Sequence, residues 1–416
     1  MRNLSLQDAL ALAKANNISL KQARADVDAA VDAAKSASAQ TKPSIATTIY
    51  GLAGDSNNVV ASSPGVMPPN YFGTPTHGVL DQNVIAMMPL FTGGKLSGQV
   101  KAAIDQSAAA GQTERQTELS VEESVTDTYV TALLQASLVD VAQARLTAED
   151  EQVRITCEQV QTGKSAPVDL LREQAEQANA KQGVLAAQND AAMALVDLKT
   201  DMGVSQMSDI TLRDTLDTVA VGSNLPSSMQ DAIKTAEASR LDLAAALLQV
   251  KAAQDSVKAA QGAYSPQVYG VGMADATGTS GDGGRVGYTV GLTASIPLYD
   301  AGEHHADVDG AKARVDRAVA DAEGVRQGVD QEVANAWLNV QTATQQVETA
   351  QLGVTAAQQG YDLANMRYNA GKSIIAERLD ALSALTRAQG DLAEAKASAI
   401  TAHERLATAM GSTSTL

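Results

Sequence analysis

The sequence predicts a mainly α chain that carries two β-hairpins and is built as a tandem repeat. Three observations lead there. Residues 303–371 hold no proline, and small apolar residues recur along them in steps of three and four, the seam of a long packed helix. Matching residues return at fixed offsets along the chain, the mark of an internal repeat. Short proline-bounded segments drop the helical period for strict apolar–polar alternation, which is strand patterning.

The seam runs Val308, Ala311, Val315, Ala318, Ala322, Val325 and Val329. It takes one extra step of four to Val333, then continues through Ala336, Val340, Ala343, Val347, Ala350, Val354, Ala357, Tyr361, Ala364 and Tyr368. One stutter in an otherwise regular heptad marks a place where the winding changes. At 1.5 Å per residue the helix is about 100 Å long.

Composition narrows the function classes. Aromatics make up only 3% of the 416 residues and the net charge is −17. Nucleic-acid binding needs clustered Lys and Arg and is excluded by that balance. The charge reads first as a solvated helical surface, and second as an acidic surface or lumen that favours cations. Cys157 is the one cysteine, so no disulfide framework or cysteine metal cluster exists within the chain. No apolar run reaches the length of a membrane-spanning helix. The opening Met1-Arg2-Asn3-Leu4-Ser5-Leu6 lacks an apolar signal core, so export requires a signal that has been removed.

The repeat sets the order of elements. Asp8-Ala9, Leu20 and Pro43 match Asp231-Ala232, Leu243 and Pro266 at an offset of 223. Pro89-Leu90-Phe91, Tyr129, Gly163-Lys164-Ser165 and Met202-Gly203 match Pro297-Leu298-Tyr299, Trp337, Gly371-Lys372-Ser373 and Met410-Gly411 at an offset of 208. Repeat 1 covers 1–203, with a helix over Leu6–Thr41, a β-hairpin at 44–91, a long helix at 95–163 and a helix at 166–202. A turn-rich linker covers 204–227. Repeat 2 covers 228–411, with a helix over Ser228–Gly262, a hairpin at 266–298, a long helix at 303–371 and a helix at 374–410. A tail, 412–416, follows. All ten prolines fall at junctions or in the first hairpin's loop, away from helix interiors where each costs ~3 kcal/mol.

The hairpin strands are read as Ile45–Leu52 with Asn83–Phe91, and Val268–Ala274 with Arg285–Leu298, the latter pair across a loop at Asp275–Gly284. Val286, Tyr288, Val290, Leu292, Ala294, Ile296 and Leu298 alternate with Gly287, Thr289, Gly291, Thr293 and Ser295, one greasy face and one small polar face. Such strands suit a transmembrane β-barrel; the alternative is a soluble sheet packed on a helix. Four strands cannot close a barrel and open edges are not tolerated in lipid, so a membrane barrel needs several chains. Three chains supply twelve strands, and their helices supply twelve columns, enough for a hollow tube. A solid coiled-coil rod is the alternative arrangement.

Several motifs resemble the TolC-like outer membrane efflux proteins, also called outer membrane factors. They are Leu4-Ser5-Leu6-Gln7-Asp8-Ala9-Leu10, the strand exits Pro89-Leu90-Phe91-Thr92-Gly93-Gly94 and Pro297-Leu298-Tyr299-Asp300-Ala301-Gly302, and the tip Tyr368-Asn369-Ala370-Gly371-Lys372-Ser373. The resemblance covers nearly the whole chain. It implies a homotrimer in which a 12-stranded outer-membrane β-barrel continues into a periplasmic α-barrel. It also implies contact with outer-membrane lipid and partnership with a periplasmic adaptor, or membrane fusion protein, and an inner-membrane transporter, for drug efflux or type I protein secretion.

The resemblance further implies an iris at the periplasmic tips. Aligned on Tyr368, Gly371 and Leu379, it carries the constriction to Glu377 and Asp380, three residues apart on one helix face. Threefold symmetry makes each a ring of carboxylates, a cation site and gate. The plain alternative is that acids in a first turn complement the helix dipole. Asp169 is the corresponding acid of the first copy, and Asp169 and Tyr368 are expected to support the gate. The turns Gly163-Lys164-Ser165 and Gly371-Lys372-Ser373 are expected to dock the adaptor. The family's arginine near the second tip is unmatched: Ser373 stands there, and Arg378 lies off-register.

Catalytic chemistry is not expected. Gly371-Lys372-Ser373 lacks the earlier glycine of a phosphate loop; it reads as a turn, with Ser373 as candidate cap of the next helix. Adjacent His304 and His305 diverge on a helix and gain no third ligand nearby, so no metal and no cofactor are expected. The reading is a passive exit duct; the rival is a soluble coiled-coil scaffold or adaptor.

Overall fold

The computed structural model describes residues 2–53, 78–163, 165–219, 226–279 and 284–412. The loop of the first hairpin with Pro64, Pro68, Pro69 and Pro75, the tip residue Lys164, residues 220–225 of the linker and 413–416 of the tail lie outside the described residues. In chain order the elements are β1 (Arg2–Leu4), α1 (Leu6–Asn16), α2 (Ile18–Ala39), β2 (Ser44–Ala53), β3 (Gly78–Phe91), α3 (Lys95–Gln161) and α4 (Pro167–Asp201). They continue with β4 (Ile210–Leu212), α5 (Met229–Ser239), α6 (Leu241–Ala263), β5 (Gln267–Thr279), β6 (Arg285–Ser295), α7 (Glu303–Asn369) and α8 (Ile375–Ala409). Helices α3 and α7 are each 67 residues long, and α4 and α8 are each 35. Every seam position of α7 from Val308 to Tyr368 is buried or half-buried. At the stutter Val329 and Val333 are 1% and 0% exposed, so the irregular step falls in a packed part of the seam.

The chain forms two compact units. One comprises Val27–Ala110 and Ala245–Ala322. Its sheet is antiparallel throughout, in the order β2-β3-β5-β6, so the two hairpins join through β3 and β5. The register places Ile45 and Ile49 of β2, Leu80 and Val84 of β3 and Val286, Tyr288, Val290 and Leu292 of β6 on a common apolar face. On β6, Val286, Tyr288, Val290 and Leu292 are 74–86% exposed. The opposite face carries Thr48, Asn83, Asp275, Thr277, Thr289 and Thr293. Below the sheet's exits, α3 and α6 are bridged by Lys251 and Asp105 at 2.8 Å, and the His304 ring stacks on Tyr264 at 4.5 Å.

Three strand boundaries differ from expectation by three or more residues, the first being the start of β3 at Gly78 and not Asn83. Strand β5 runs on through Asp275–Thr279, read above as loop, because β3 starts at Gly78 and pairs with it along its length. The Thr277 hydroxyl donates to Asp81 Oδ1 at 2.6 Å, which satisfies a carboxylate only 2% exposed. Strand β6 ends at Ser295 and not Leu298, since Pro297 has no N–H for a ladder.

The other unit comprises Met1–Asp26, Gly111–Ala244 and Glu323–Leu416. It holds two apolar clusters. Leu4, Leu6, Val125, Tyr129, Leu133 and Leu198 belong to one; Ala232, Val329, Val333, Val340 and Leu406 belong to the other. Parallel pairing of β1 with β4 brings the N-terminus against the linker. Asp214 fastens this strap: its Oδ2 accepts from the Leu6 N–H at 2.9 Å and from the buried Tyr129 hydroxyl at 2.8 Å.

The single helices expected over Leu6–Thr41 and Ser228–Gly262 are each broken. The breaks fall at Asn17 (ψ 135°) and Arg240 (ψ 124°). Asn17 Oδ1 accepts from the N–H groups of Ser19 and Leu20 and so caps α2. Each break rests on the end of a later helix. A Cβ on Gly203 would lie 2.7 Å from the Asn16 carbonyl oxygen, and one on Gly411 would lie 2.9 Å from that of Ser239. Both glycines also have positive φ, 65° and 75°, which leaves no room for a side chain on either count. Neither break is marked by proline or glycine, which is why periodicity ran through them.

Candidate functional site

The tip residues of the second unit described above gather from four helices. Helices α3 and α7 end in left-handed glycines, Gly163 (φ 71°) and Gly371 (φ 69°). Neither following serine is an N-cap. Ala166 caps α4 and Ile374 caps α8, both without a side-chain bond, which corrects the expectation for Ser373. In α4 the missing bond is offset by Pro167 in the first turn, where no N–H is needed. The serines turn instead to the acids four residues on. Ser165 Oγ donates to Asp169 at 3.3 Å, and Ser373 Oγ donates to Glu377.

Glu377 gains a second partner: Arg367 Nη1 donates to its Oε1 at 2.8 Å, with both side chains about half exposed. Asp380, one turn further along α8, is exposed. Gly371 and Lys372 are exposed, and Tyr368 is half-buried. The structure thus places Glu377, Ser373 and Arg367 in contact, and Asp169 in a parallel contact with Ser165.

Beneath these groups lies a cluster that sequence reading passed over. Arg378 is fully buried, and so are Glu173 and, at 1% exposure, Glu149. Arg378 Nη2 donates to Glu173 Oε2 at 2.6 Å and to Glu149 Oε2 at 3.3 Å. The guanidinium also sits 5.8 Å from the centre of the Tyr368 ring, within cation–π reach. Glu149 comes from α3, Glu173 from α4, Tyr368 from α7 and Arg378 from α8. Position 378 lies off the family register. The available signal was an arginine amid Ile375, Leu379 and Leu382, on a helix face that is otherwise apolar.

The electrostatics of this cluster are unbalanced, with two carboxylates facing one guanidinium. Burial pushes the Glu173 carboxyl up to about 7; the Arg378 charge opposes the rise and the neighbouring Glu149 charge adds to it. Arg378 Nε and Nη1 and Glu173 Oε1 have no hydrogen-bond partner among the described residues. Burial also raises the Tyr368 phenol above its ordinary value. Nothing in this set has the pairing of nucleophile and base that covalent catalysis needs.

Comparison with known proteins gives the fold and the family. The structure resembles that of the outer-membrane channel OprN with a TM-score of 0.81, covering 98% of this chain and 89% of that one at 21% identity. In sequence the chain is 26% identical over 234 residues to the outer membrane efflux protein BepC of Brucella suis, covering 55% of this chain and 49% of BepC. It is 26% identical over 235 residues to the nickel-cobalt-cadmium resistance protein NccC of Alcaligenes xylosoxydans, covering 55% and 51%. The matches thus span about half the length of these two relatives. The profile of the outer membrane efflux proteins matches residues 9–204 and 232–412. On that match, the chain belongs to the outer membrane efflux protein family, whose members are channels of the outer membrane and not enzymes.

Proposed function

We propose that this chain is one subunit of a homotrimeric exit duct that conducts substrates passively across the periplasm and outer membrane. The observation that carries the reading is the sheet. Its four strands present one exposed apolar face, and β2 and β6 each pair on one side only. In lipid such edges must be matched, and two further copies supply the eight strands that make a closed barrel of twelve. The repeat boundaries 1–203 and 228–411, with the linker 204–227 between them, follow from the same reading. A soluble scaffold or adaptor would have no use for an uncovered apolar sheet face. The match to BepC, an efflux protein by name, and to NccC, a metal-resistance protein by name, supports export as the task.

In this duct Glu377 and Asp380 line the periplasmic constriction, Asp169 and Tyr368 steady it, and the turns at Gly163–Ser165 and Gly371–Ser373 meet a periplasmic adaptor that an inner-membrane transporter drives. Planar-bilayer recording of the reconstituted chain tests this. Ion conductance is expected, rising when Glu377→Gln and Asp380→Asn are combined, because the Arg367 and Ser373 ties to Glu377 are then weakened. Absence of any conductance from the reconstituted double variant overturns the duct.

A further inference from the structure

We propose that Arg378, Glu149 and Glu173 form a proton-operated latch, holding α3 and α4 to α8 tightly when the cluster carries one added proton and loosely when it carries none. The geometry shows where that proton goes. Glu173 Oε2 already accepts from Arg378 at 2.6 Å, whereas Glu173 Oε1 is buried without a partner among the described residues. A proton on Oε1 leaves one carboxylate facing one guanidinium, a neutral set at a buried site. Without it the interior holds an uncompensated negative charge, which is costly there.

The groups around Glu173 favour this reading. From α3, Glu149 faces it, and Arg145 is engaged with Glu176 at 3.6 Å. From α4 itself come Glu176 and Asp169, the latter held by Ser165. From α7 comes Tyr368, while Arg367 is occupied by Glu377 of α8. Arg378 is thus the cation paired with both acids.

The sign of the pH dependence follows. Burial raises the Glu173 carboxyl from 4.5 to about 7, so the closed cluster binds a proton that the opened, hydrated one releases. Its contribution to closure is fully present below about 4.5, declines between the two values and is lost above about 7.

Amide hydrogen exchange on the full chain, corrected for the intrinsic pH dependence of exchange, tests the latch. Around Glu149, Glu173 and Arg378, local opening is expected to rise about tenfold between pH 6 and pH 8.5. Glu173→Gln is expected to hold the pH 6 level of protection across the range. Glu149→Gln, which leaves a balanced pair, is expected to flatten the slope as well. A wild-type chain without the slope, or a slope kept in either variant, overturns the latch. The measurement does not depend on conductance: a chain that shows the slope yet passes no current would sink the duct and leave the latch standing.

Discussion

In the first half of the chain Asn17 ends a helix, and its amide donates to the Asp201 carbonyl at 2.8 Å. At the matching place in the second half Arg240 ends a helix, and its guanidinium reaches the Ala409 carbonyl at 3.4 Å. The backbone joint is the same, down to the close approach of Gly203 and Gly411. The side chains that fasten it are not. Arg240 adds ion pairs to Asp242 and Glu332 at 2.8 and 2.9 Å, and Asn17 adds a helix cap. Backbone sterics are therefore shared between the halves, while polar fastenings are particular to each. The tip carries this further. The first half supplies two buried acids and the second supplies the arginine and tyrosine that meet them.

The comparison breaks most visibly at Arg378. Arg378→Leu is expected to cost about 3–5 kcal/mol near pH 8, where both glutamates remain buried without their cation. The cost shrinks toward pH 5 as Glu173 accepts a proton. Leu170→Ala, at the matching position in the first half, strands no charge and should cost less; chemical denaturation at the two pH values measures both. Next come the glycines. Gly203→Ala and Gly411→Ala each face backbone at under 3 Å with positive φ, and each should cost about 1–3 kcal/mol in thermal unfolding. Equal losses support a shared joint, and a loss in only one half breaks it.

Smaller effects sharpen the polar side. Asn17→Ala is expected to lower stability by about 1 kcal/mol through the lost cap, visible as faster hydrogen exchange at Ser19 and Leu20. Glu377→Gln removes an exposed pair with Arg367 and should change stability by under about 1 kcal/mol, while the bilayer current of the proposed duct is expected to rise. A large loss of stability would make Glu377 a structural anchor instead of a gating group.

What the sequence disclosed divides along the same line. The seam from Val308 to Tyr368 was legible because burial of small apolar residues repeats with the helix period. The alternation of β6 was legible for the same reason. The breaks at Asn17 and Arg240 were not, since they arise from contact with glycines some 170 or more residues away in sequence, and the local pattern carries no breaker. Asn17, a good cap residue, was the one available hint. At the tip, alignment on Tyr368 and Gly371 found the Ser373–Glu377 contact region but not the Arg367 tie. Arg378 falls outside that register, and its partners Glu149 and Glu173 lie more than 200 residues earlier in sequence. Long-range charge pairing leaves no periodic trace.

The division of the tip cluster between halves bears on how the chain can change. In an assembly of identical short units, one codon change would alter every equivalent contact at once. Here the acids and the base sit in different halves of one gene, so a change at Arg378 alters a single kind of helix contact and spares its counterpart at Leu170. The two contacts can therefore be altered one at a time by mutation.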